Sequence, residues 1–253
     1  FRVWSNITWR VGEDGEFRNK TQNVCKVFQM PLTHFCKHYV LEGSKKDDYL
    51  KACREEYKNV YSLIPELPFS NIWIAQRLAS NLPKGASIYF GILNSLRSWN
   101  LFELPKDVES MSNVGGFGID GILSSAVGRS ICNPQRLTYG VLGDLAFFYD
   151  MNSLGNRHIA NNLRVLLINN GIGDEFRIYH NPTGFLKEEV RPYIAAEGHY
   201  GHQSKSLVKS YAESLGYKYL SASFKEEFLA NMNDFVNPAM SQSIIFEVFV
   251  RPE

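Results

Sequence analysis

The sequence predicts an α/β fold in which a doubly wound, mostly parallel sheet carries helices on both faces. Two predominantly apolar runs, 137–142 and 163–168, are typical of parallel strands that are buried on both sides. Between them, intervals of four, three and four residues separate Phe147, Met151, Leu154 and His158. This spacing is typical of one buried face of a helix. A strand, a crossover helix and a second strand form a right-handed parallel unit. Strands and helices continue to alternate towards the end of the chain, which favours an α/β architecture.

The first 64 residues are predicted to form a separate region. A turn signal at 13–15 separates two strand-like segments, 7–11 and 16–18. A polar linker then leads into a charged helix at 48–63. Prolines at positions 65 and 68 interrupt the chain. We therefore place a domain boundary here and expect one domain over 1–64 and a second over 65–253.

The second domain, 65–253, is predicted from alternating helical and strand-like segments. Ser70 is expected to cap a helix that extends to about residue 81. A strand at 88–92 and a glycine-rich turn followed by a helix near 115–128 precede the pair of strands described above. The remaining elements are a helix at 204–215, a strand at 217–220, a helix at 225–235 and a final buried strand at 243–250.

Composition limits the classes of partner. The formal net charge is +1, so no strong field attracts nucleic acid or an anionic membrane surface. No apolar run approaches the roughly 20 residues that a membrane-spanning helix requires. The four cysteines form no CxxC pair, as expected for reduced thiols in a cytoplasmic protein. We therefore expect a cytoplasmic protein that binds neither nucleic acid nor membrane.

Two polar motifs follow the apolar runs directly. Gly143-Asp144-Leu145-Ala146 comes after the first run, and Asn169-Asn170-Gly171 comes after the second. The carboxyl ends of parallel strands meet at one edge of a sheet, where open α/β sheets bind ligands. A carboxylate and an amide supply hard oxygen ligands for Mg²⁺, which takes its other ligands from phosphate and water. Backbone N–H groups at the start of the helix can bind the same phosphates. The sequence therefore predicts a site for a metal and a diphosphate.

A competing interpretation comes from residues 116–121, which match the dinucleotide-binding pattern GxGxxG. This alternative makes the chain an NAD-dependent dehydrogenase. Two features oppose it. The preceding segment, 107–113, is too polar for the central buried strand that such a fingerprint follows. The alternative also leaves Asn169 and Asn170 without a role.

The two loop motifs resemble the signature of thiamine diphosphate-dependent enzymes, Gly-Asp followed about 26 residues later by Asn-Asn. Here Asn170 follows Asp144 by 26 residues. Within that family, the chain looks like the 2-succinyl-5-enolpyruvyl-6-hydroxy-3-cyclohexene-1-carboxylate synthases of the menaquinone pathway. The matching segments are 94–96, 112–113, 118–121, 143–145 and 149–152. The resemblance covers residues 70–250 and implies a pyrophosphate-binding domain, with 1–64 as the tail of a preceding middle domain.

The resemblance also implies a role for individual residues. The side chains of Asp144 and Asn170 and the backbone carbonyl of Ile172 would bind Mg²⁺. Leu145 and Ala146 would present amides to the diphosphate, and Ile119 would bend the cofactor. The complete set of residues implied to bind thiamine diphosphate is Asn94, Ser95, Gly118, Ile119, Asp120, Gly143, Leu145, Ala146 and Phe176.

The chain departs from the synthase pattern at several positions. Val114 and Trp99 stand where the synthases have arginine, and Glu175 stands where they have an apolar residue. The resemblance implies decarboxylation of a 2-oxo acid or carbon–carbon bond formation with it. These departures leave the substrates open.

The resemblance also implies that the catalytic glutamate lies on a pyrimidine-binding domain, which nothing in 1–64 resembles. That domain, from the same or another subunit of a homo-oligomer, is therefore an expected partner. A non-catalytic module that binds thiamine diphosphate or a partner protein is the alternative.

Overall fold

The computed structural model describes residues 7–18, 23–39, 47–173, 175, 182–193, 203–239 and 241–251. The chain divides into two compact units, Phe1–Ile64 and Pro65–Glu253. Within the described parts, none of the helices is both long and apolar enough to cross a membrane.

The described residues of the first unit form two short strands and two helices. Strand β1 (Thr8–Val11) pairs in parallel with β2 (Val24–Phe28), and helices α1 (Leu32–Tyr39) and α2 (Asp48–Ser62) follow. The predicted strand at 16–18 is wrong, because these residues form no strand and β1 takes its partner from farther along the chain. Aromatic rings hold the unit together: Trp9, Phe28, Phe35 and Tyr39 pack edge-on or tilted, with centroids 4.6–6.3 Å apart.

In its described part, the second unit is built on a six-stranded sheet in which every pairing is parallel. Its strands are β3 (Ser87–Phe90), β4 (Glu109–Ser112), β5 (Thr138–Gly143), β6 (Leu163–Asn169), β7 (Lys218–Ala222) and β8 (Ile244–Phe249). Their order in the sheet is β4-β3-β5-β6-β8-β7. The predicted α/β class with a parallel sheet is therefore confirmed. The short edge strand β4 was not predicted, because its exposed, polar residues give no strand signal.

Helices cover both faces of this sheet. They are α3 (Asn71–Leu78), α4 (Asn94–Trp99), α5 (Ile122–Cys132), α6 (Asp144–Asp150), α7 (Leu207–Ser214) and α8 (Lys225–Val236). One core contains α3, α4 and α8 with strand residues such as Val141 and Leu166. The other contains α5, α6 and α7 with their neighbours Leu142 and Leu167. The alternation of strand side chains thus divides the apolar residues between two cores, as in a doubly wound fold.

Most predicted elements lie close to their expected positions. Ser70 caps α3 as predicted, since its hydroxyl accepts a hydrogen bond from the Trp73 amide at 3.3 Å. The glycine-rich turn and the helix predicted near 115–128 are confirmed, since turns precede Gly121 and α5 begins at Ile122. The crossover helix is shorter than its spacing predicted: α6 ends at Asp150, a 3-10 helix continues from Met151 to Gly155, and His158 is exposed.

Candidate functional site

The candidate site lies where the connections of the sheet diverge. Strands β3 and β5 are neighbours, but the chain leaves β3 towards β4 on one side and leaves β5 towards β6 on the other. Such a switch in strand order opens a crevice at the carboxyl ends of the two strands. Residues directly after β3, β5, β6 and β8 line a cavity of about 180 Å³ at this point.

The two predicted loop motifs are in direct contact. Register pairs Gly143 at the end of β5 with Ile168 near the end of β6, so the loops that follow start side by side. Asp144 is buried, with 3% of its surface exposed. Its Oδ2 accepts a hydrogen bond from the Gly171 amide at 2.7 Å, and its Oδ1 accepts one from the Leu145 amide at 2.7 Å. The carboxylate therefore joins the two loops.

The loop after β6 turns sharply at Gly171, where φ is +76°. A Cβ atom at this position would lie 2.8 Å from the side chain of Gln203. Glycine is therefore required both by the backbone conformation and by the close neighbour. Asn170 Oδ1 accepts a hydrogen bond from the Ile172 amide at 3.0 Å, which holds this side chain in the same tight turn.

The cavity gathers most of the predicted site residues. Those that line it are Asn94, Ser95, Ile119, Gly143, Asp144, Leu145, Ala146, Asn170 and Ile172. Gly118 and Asp120 flank Ile119 without lining the cavity, and Asp120 is exposed. Phe176 lies outside the described residues. The remaining lining is largely apolar and includes Ile92, Leu93, Ile168 and Val250.

The sequence did not indicate a role for Asn71, which also lines the cavity. Its Nδ2 donates to the backbone carbonyl of Asn94 and to Ser98 Oγ, both at 3.0 Å. These bonds fix the start of α4, directly after Leu93, whose φ of +64° is unusual for a residue with a side chain. Asn71 is the polar member of an otherwise apolar buried face of α3, which is visible only once the helix is placed in the fold.

Glu175, one of the departures from the synthase pattern, lies at the cavity and contacts Arg97. Arg97 Nη1 lies 3.0 Å from Glu175 Oε2 and 3.3 Å from Asn94 Oδ1. Trp99, another of the departures, is buried in the core instead, with 2% of its surface exposed. The arginine beside the cavity is thus neutralised by an acid in the neighbouring loop.

A second buried acid lies behind the loop that follows β6. Glu247 in β8 is fully buried, and burial raises the pKa of its carboxyl group. The Asn169 side-chain amide and the Tyr219 hydroxyl both donate to this carboxylate at 2.7 Å. Sequence patterns did not predict a role for Glu247, because an isolated acid inside an apolar run identifies no partner.

The donors at the two loops fit a hard divalent cation. Across the described ranges, no group of three or more His, Cys, Asp or Glu side chains could hold a metal. A metal here would instead combine the Asp144 carboxylate with amide and backbone oxygens from 170–172 and with phosphate oxygens, as Mg²⁺ usually does. The carboxylate oxygens of Asp144 accept from the Leu145 and Gly171 amides, so the group that would bind the cation is already oriented at the junction of the two loops.

The glycine-rich motif lies in a different setting from a dinucleotide fingerprint. It follows β4, an exposed edge strand, rather than a central buried strand. Gly121, with φ of +77°, ends the motif at the start of α5. Only Ile119 of this segment lines the cavity. This placement opposes the dehydrogenase alternative.

Three of the relatives that the chain matches among curated proteins carry the same name. No protein-family model matches the chain. The 2-succinyl-5-enolpyruvyl-6-hydroxy-3-cyclohexene-1-carboxylate synthase of Bacteroides fragilis is 32% identical over 249 residues, which are 95% of this chain and 42% of that protein. The synthase of Phocaeicola vulgatus is 31% identical over 97% of this chain and 42% of its own length. That of Desulfotalea psychrophila is 33% identical over 71% and 31%, respectively.

The chain thus spans about two fifths of the length of the first two relatives. The match extends over almost the whole chain, so it includes both loop motifs and the region before the predicted domain boundary. The resemblance that the motifs predicted is confirmed: the chain is a homologue of the 2-succinyl-5-enolpyruvyl-6-hydroxy-3-cyclohexene-1-carboxylate synthases.

Proposed function

We propose that residues 65–253 form the pyrophosphate-binding domain of a thiamine diphosphate- and Mg²⁺-dependent enzyme that decarboxylates a 2-oxo acid and joins the remaining fragment to an acceptor. The observation that carries this proposal is the 2.7 Å hydrogen bond from the Gly171 amide to Asp144 Oδ2. It supports the proposal because it brings the Gly-Asp and Asn-Asn motifs to one point beside the cavity.

In this proposal, the loops hold the metal and the diphosphate. Asp144, Asn170 and the Ile172 carbonyl would provide oxygen ligands to Mg²⁺. The Leu145 amide donates to Asp144 Oδ1 in the structure. A cation bound at that oxygen would compete for it, which would release the Leu145 amide to a phosphate oxygen beside the Ala146 amide. Metal and diphosphate binding would therefore be coupled.

The apolar wall of the cavity would position the rest of the cofactor. Thiamine diphosphate, when bound, supplies the electron sink that decarboxylation of a 2-oxo acid requires. Ile119, half-buried at the cavity, would act as the wedge that bends it. Ile92, Ile168 and Val250 would exclude water from the reacting end. The contribution of this chain is thus orientation and desolvation.

The proposed active site needs a second domain. The chain spans about two fifths of its relatives, and residues 1–64 would be the tail of a middle domain. We expect a pyrimidine-binding domain, from the same or another subunit of a homo-oligomer, to supply the catalytic glutamate. The donor and acceptor would be small molecules, with a place in menaquinone biosynthesis as the first reaction to test.

Calorimetry on the full-length protein tests the proposal. Wild type should bind thiamine diphosphate in the presence of Mg²⁺, and Asp144→Asn should weaken that binding by at least about tenfold, since losing even an outer-shell partner of a metal ligand typically costs that much. Asp150→Asn is the matched control, because Asp150 lies on the same helix but accepts from the Ser124 amide at 2.6 Å and does not line the cavity.

Equal binding by wild type and Asp144→Asn would reject the metal site. Tight NAD binding that needs no Mg²⁺ would favour the dehydrogenase alternative. Cofactor binding by the full-length protein, without turnover of any 2-oxo acid, would favour the non-catalytic module.

A further inference from the structure

Glu247 lies in the middle of β8, yet its carboxylate is linked to the loop that carries Asn170 and Ile172. We infer that Glu247 is a positioning residue: acting through Asn169, it fixes the conformation of the loop that would bind Mg²⁺. This inference rests on the proposed function and adds to it a residue that touches neither metal nor cofactor.

Both oxygens of Glu247 are held. Oε1 accepts from Asn169 Nδ2 and Oε2 accepts from the Tyr219 hydroxyl, each at 2.7 Å. Burial and the neighbouring Glu247 carboxylate raise the pKa of Tyr219, so its hydroxyl stays protonated and able to donate. The carboxylate is therefore fixed in one orientation, fully buried between two strands.

This carboxylate selects the orientation of the Asn169 side chain. An asparagine amide can rotate by half a turn and exchange its oxygen and nitrogen, but the Glu247 oxygen that faces it is an acceptor. Glu247 therefore holds the Asn169 nitrogen towards itself and leaves the Asn169 oxygen facing the opposite way. That Oδ1 accepts from the Gly171 amide at 3.1 Å. With the amide reversed, two donors would face each other at Gly171.

The Gly171 amide is shared between two acceptors. It donates to Asn169 Oδ1 at 3.1 Å and to Asp144 Oδ2 at 2.7 Å. The backbone of Asn169 is held as well, since its carbonyl accepts from the Val250 amide at 3.0 Å and from Gln203 Nε2 at 2.9 Å. A continuous series of hydrogen bonds thus joins Glu247 to the carboxylate of Asp144.

Two conservative variants separate geometry from charge. Glu247→Gln keeps the length of the side chain and an acceptor for Asn169, and its new N–H group can donate to the Tyr219 oxygen. Glu247→Asp keeps the charge but withdraws the acceptor from Asn169 by roughly one bond length. A positioning role predicts that the Gln variant resembles wild type and that the Asp variant is impaired, whereas a direct effect of charge predicts the reverse.

Arg164→Lys is the control for a general loss of packing. Arg164 is another fully buried charge, on β6, with bonds to the backbone carbonyls of Phe235, Asn237 and Asn161 at 2.7–3.1 Å. These contacts lie at the amino end of the strand, opposite the candidate site. The control variant should lower stability without changing the loop after β6.

The experiment measures two quantities on the full-length protein. The first is the Mg²⁺ concentration that half-saturates binding of thiamine diphosphate, followed by calorimetry. The second is hydrogen exchange at the Gly171 amide without metal or cofactor. We expect Glu247→Asp to raise the Mg²⁺ requirement by about tenfold, the usual effect of losing an outer-shell partner, and to accelerate exchange at Gly171. Glu247→Gln and Arg164→Lys should leave both quantities within about threefold of wild type.

Each outcome decides a different question. If the Asp variant matches wild type in both quantities, or if the Gln variant is the impaired one, the positioning role is overturned. If Arg164→Lys changes the Gly171 loop as much as Glu247→Asp does, the effect is general destabilisation and the inference fails. If wild type binds neither Mg²⁺ nor cofactor, the proposed function fails, while exchange at Gly171 still reports on the link between Glu247 and the loop.

Discussion

Arg97 and Glu175 form an ion pair beside the cavity, with Arg97 Nη1 3.0 Å from Glu175 Oε2. They come from different parts of the sheet edge, since Arg97 lies on α4 after β3 and Glu175 follows β6. The pair leaves Arg97 with an internal counterion, so this arginine offers little attraction to a substrate carboxylate.

The first prediction concerns substrate choice and rests on the proposed function. Glu175→Gln removes the counterion and frees Arg97 for an anionic group of the substrate. We expect kcat/KM for a 2-oxo acid with a second carboxylate to rise by about two- to fivefold relative to one with an alkyl tail, the range for exposed ion pairs. Steady-state kinetics with 2-oxoglutarate and 2-oxobutyrate measures this ratio.

Glu66→Gln is the control for that experiment. Glu66 is an exposed acid paired with Arg77 at 3.4 Å, and it does not line the cavity. Its replacement should leave the ratio unchanged. If Glu175→Gln also leaves the ratio of the two kcat/KM values unchanged, Arg97 does not contribute to the choice of substrate.

The second prediction concerns backbone strain at Leu93, where φ is +64° and ψ is −125°. Residues with a Cβ rarely adopt this conformation, which costs of order 1–3 kcal/mol, whereas glycine adopts it readily. Leu93→Gly should therefore be more stable than Leu93→Ala by about 1 kcal/mol or more, although alanine is usually the more stabilising of the two. Urea unfolding of both variants gives the difference, and an equal or reversed order would contradict the strain.

The third prediction compares two glycines with positive φ. Gly171 has φ of +76° and a Cβ there would lie 2.8 Å from Gln203, whereas Gly85 has φ of +72° and open space around it. Both alanine variants should lose about 1 kcal/mol or more through strain. Only Gly171→Ala should also weaken Mg²⁺-dependent binding of thiamine diphosphate, because it displaces the loop beside Asp144. Equal binding by both variants would argue against a role for this loop.

The fourth prediction concerns pH. Burial raises the pKa of Glu247, so the folded state holds this proton more tightly than the unfolded state. The stability from this group is fully present below its unfolded pKa, near 4.5, and is lost as pH rises through the folded pKa. Glu247→Gln has no such loss. The stability of this variant relative to wild type should therefore increase with pH in that window, by at most about 1.4 kcal/mol per pH unit.

Urea unfolding of the metal-free protein, from mildly acidic to neutral pH, measures this difference. Tyr217→Phe is a suitable control, because it removes a buried polar group, the Tyr217 hydroxyl that donates to the Leu154 carbonyl. Burial raises the pKa of this hydroxyl, away from the neutral range. It should show no pH-dependent difference from wild type. A constant offset between Glu247→Gln and wild type would mean that Glu247 keeps the same charge over the whole range.

Local patterns predicted the elements that position the candidate site. The apolar runs at 137–142 and 163–168 became β5 and β6, and Ser70 caps α3. The proximity of Asp144 to the loop at 170 also followed from sequence, because one crossover between parallel strands brings their carboxyl ends together. The spacing of apolar residues is visible within a short segment of sequence, so it can be recognised without coordinates.

Two predictions failed although their local signals are present in the sequence. The turn at 13–15 indicated a neighbouring strand, but β1 pairs with β2 beyond it. The spacing that ends at His158 continued a helical pattern that the chain abandons after Asp150. For β1, pairing with a more distant segment determined where the strand partner lies.

The sequence by itself determined the parallel sheet, its two faces and the two loops that meet at its edge. The reason is that buried strands and helices contain apolar residues in a regular pattern along the sequence. Only the tertiary structure decided that Glu247 faces Asn169, that Arg97 meets Glu175 and that Asn71 supports α4. Each of these contacts joins residues 23 to 78 positions apart. The identity of a single polar residue does not show which group it will bond, since a hydrogen bond depends on where the folded backbone places both groups.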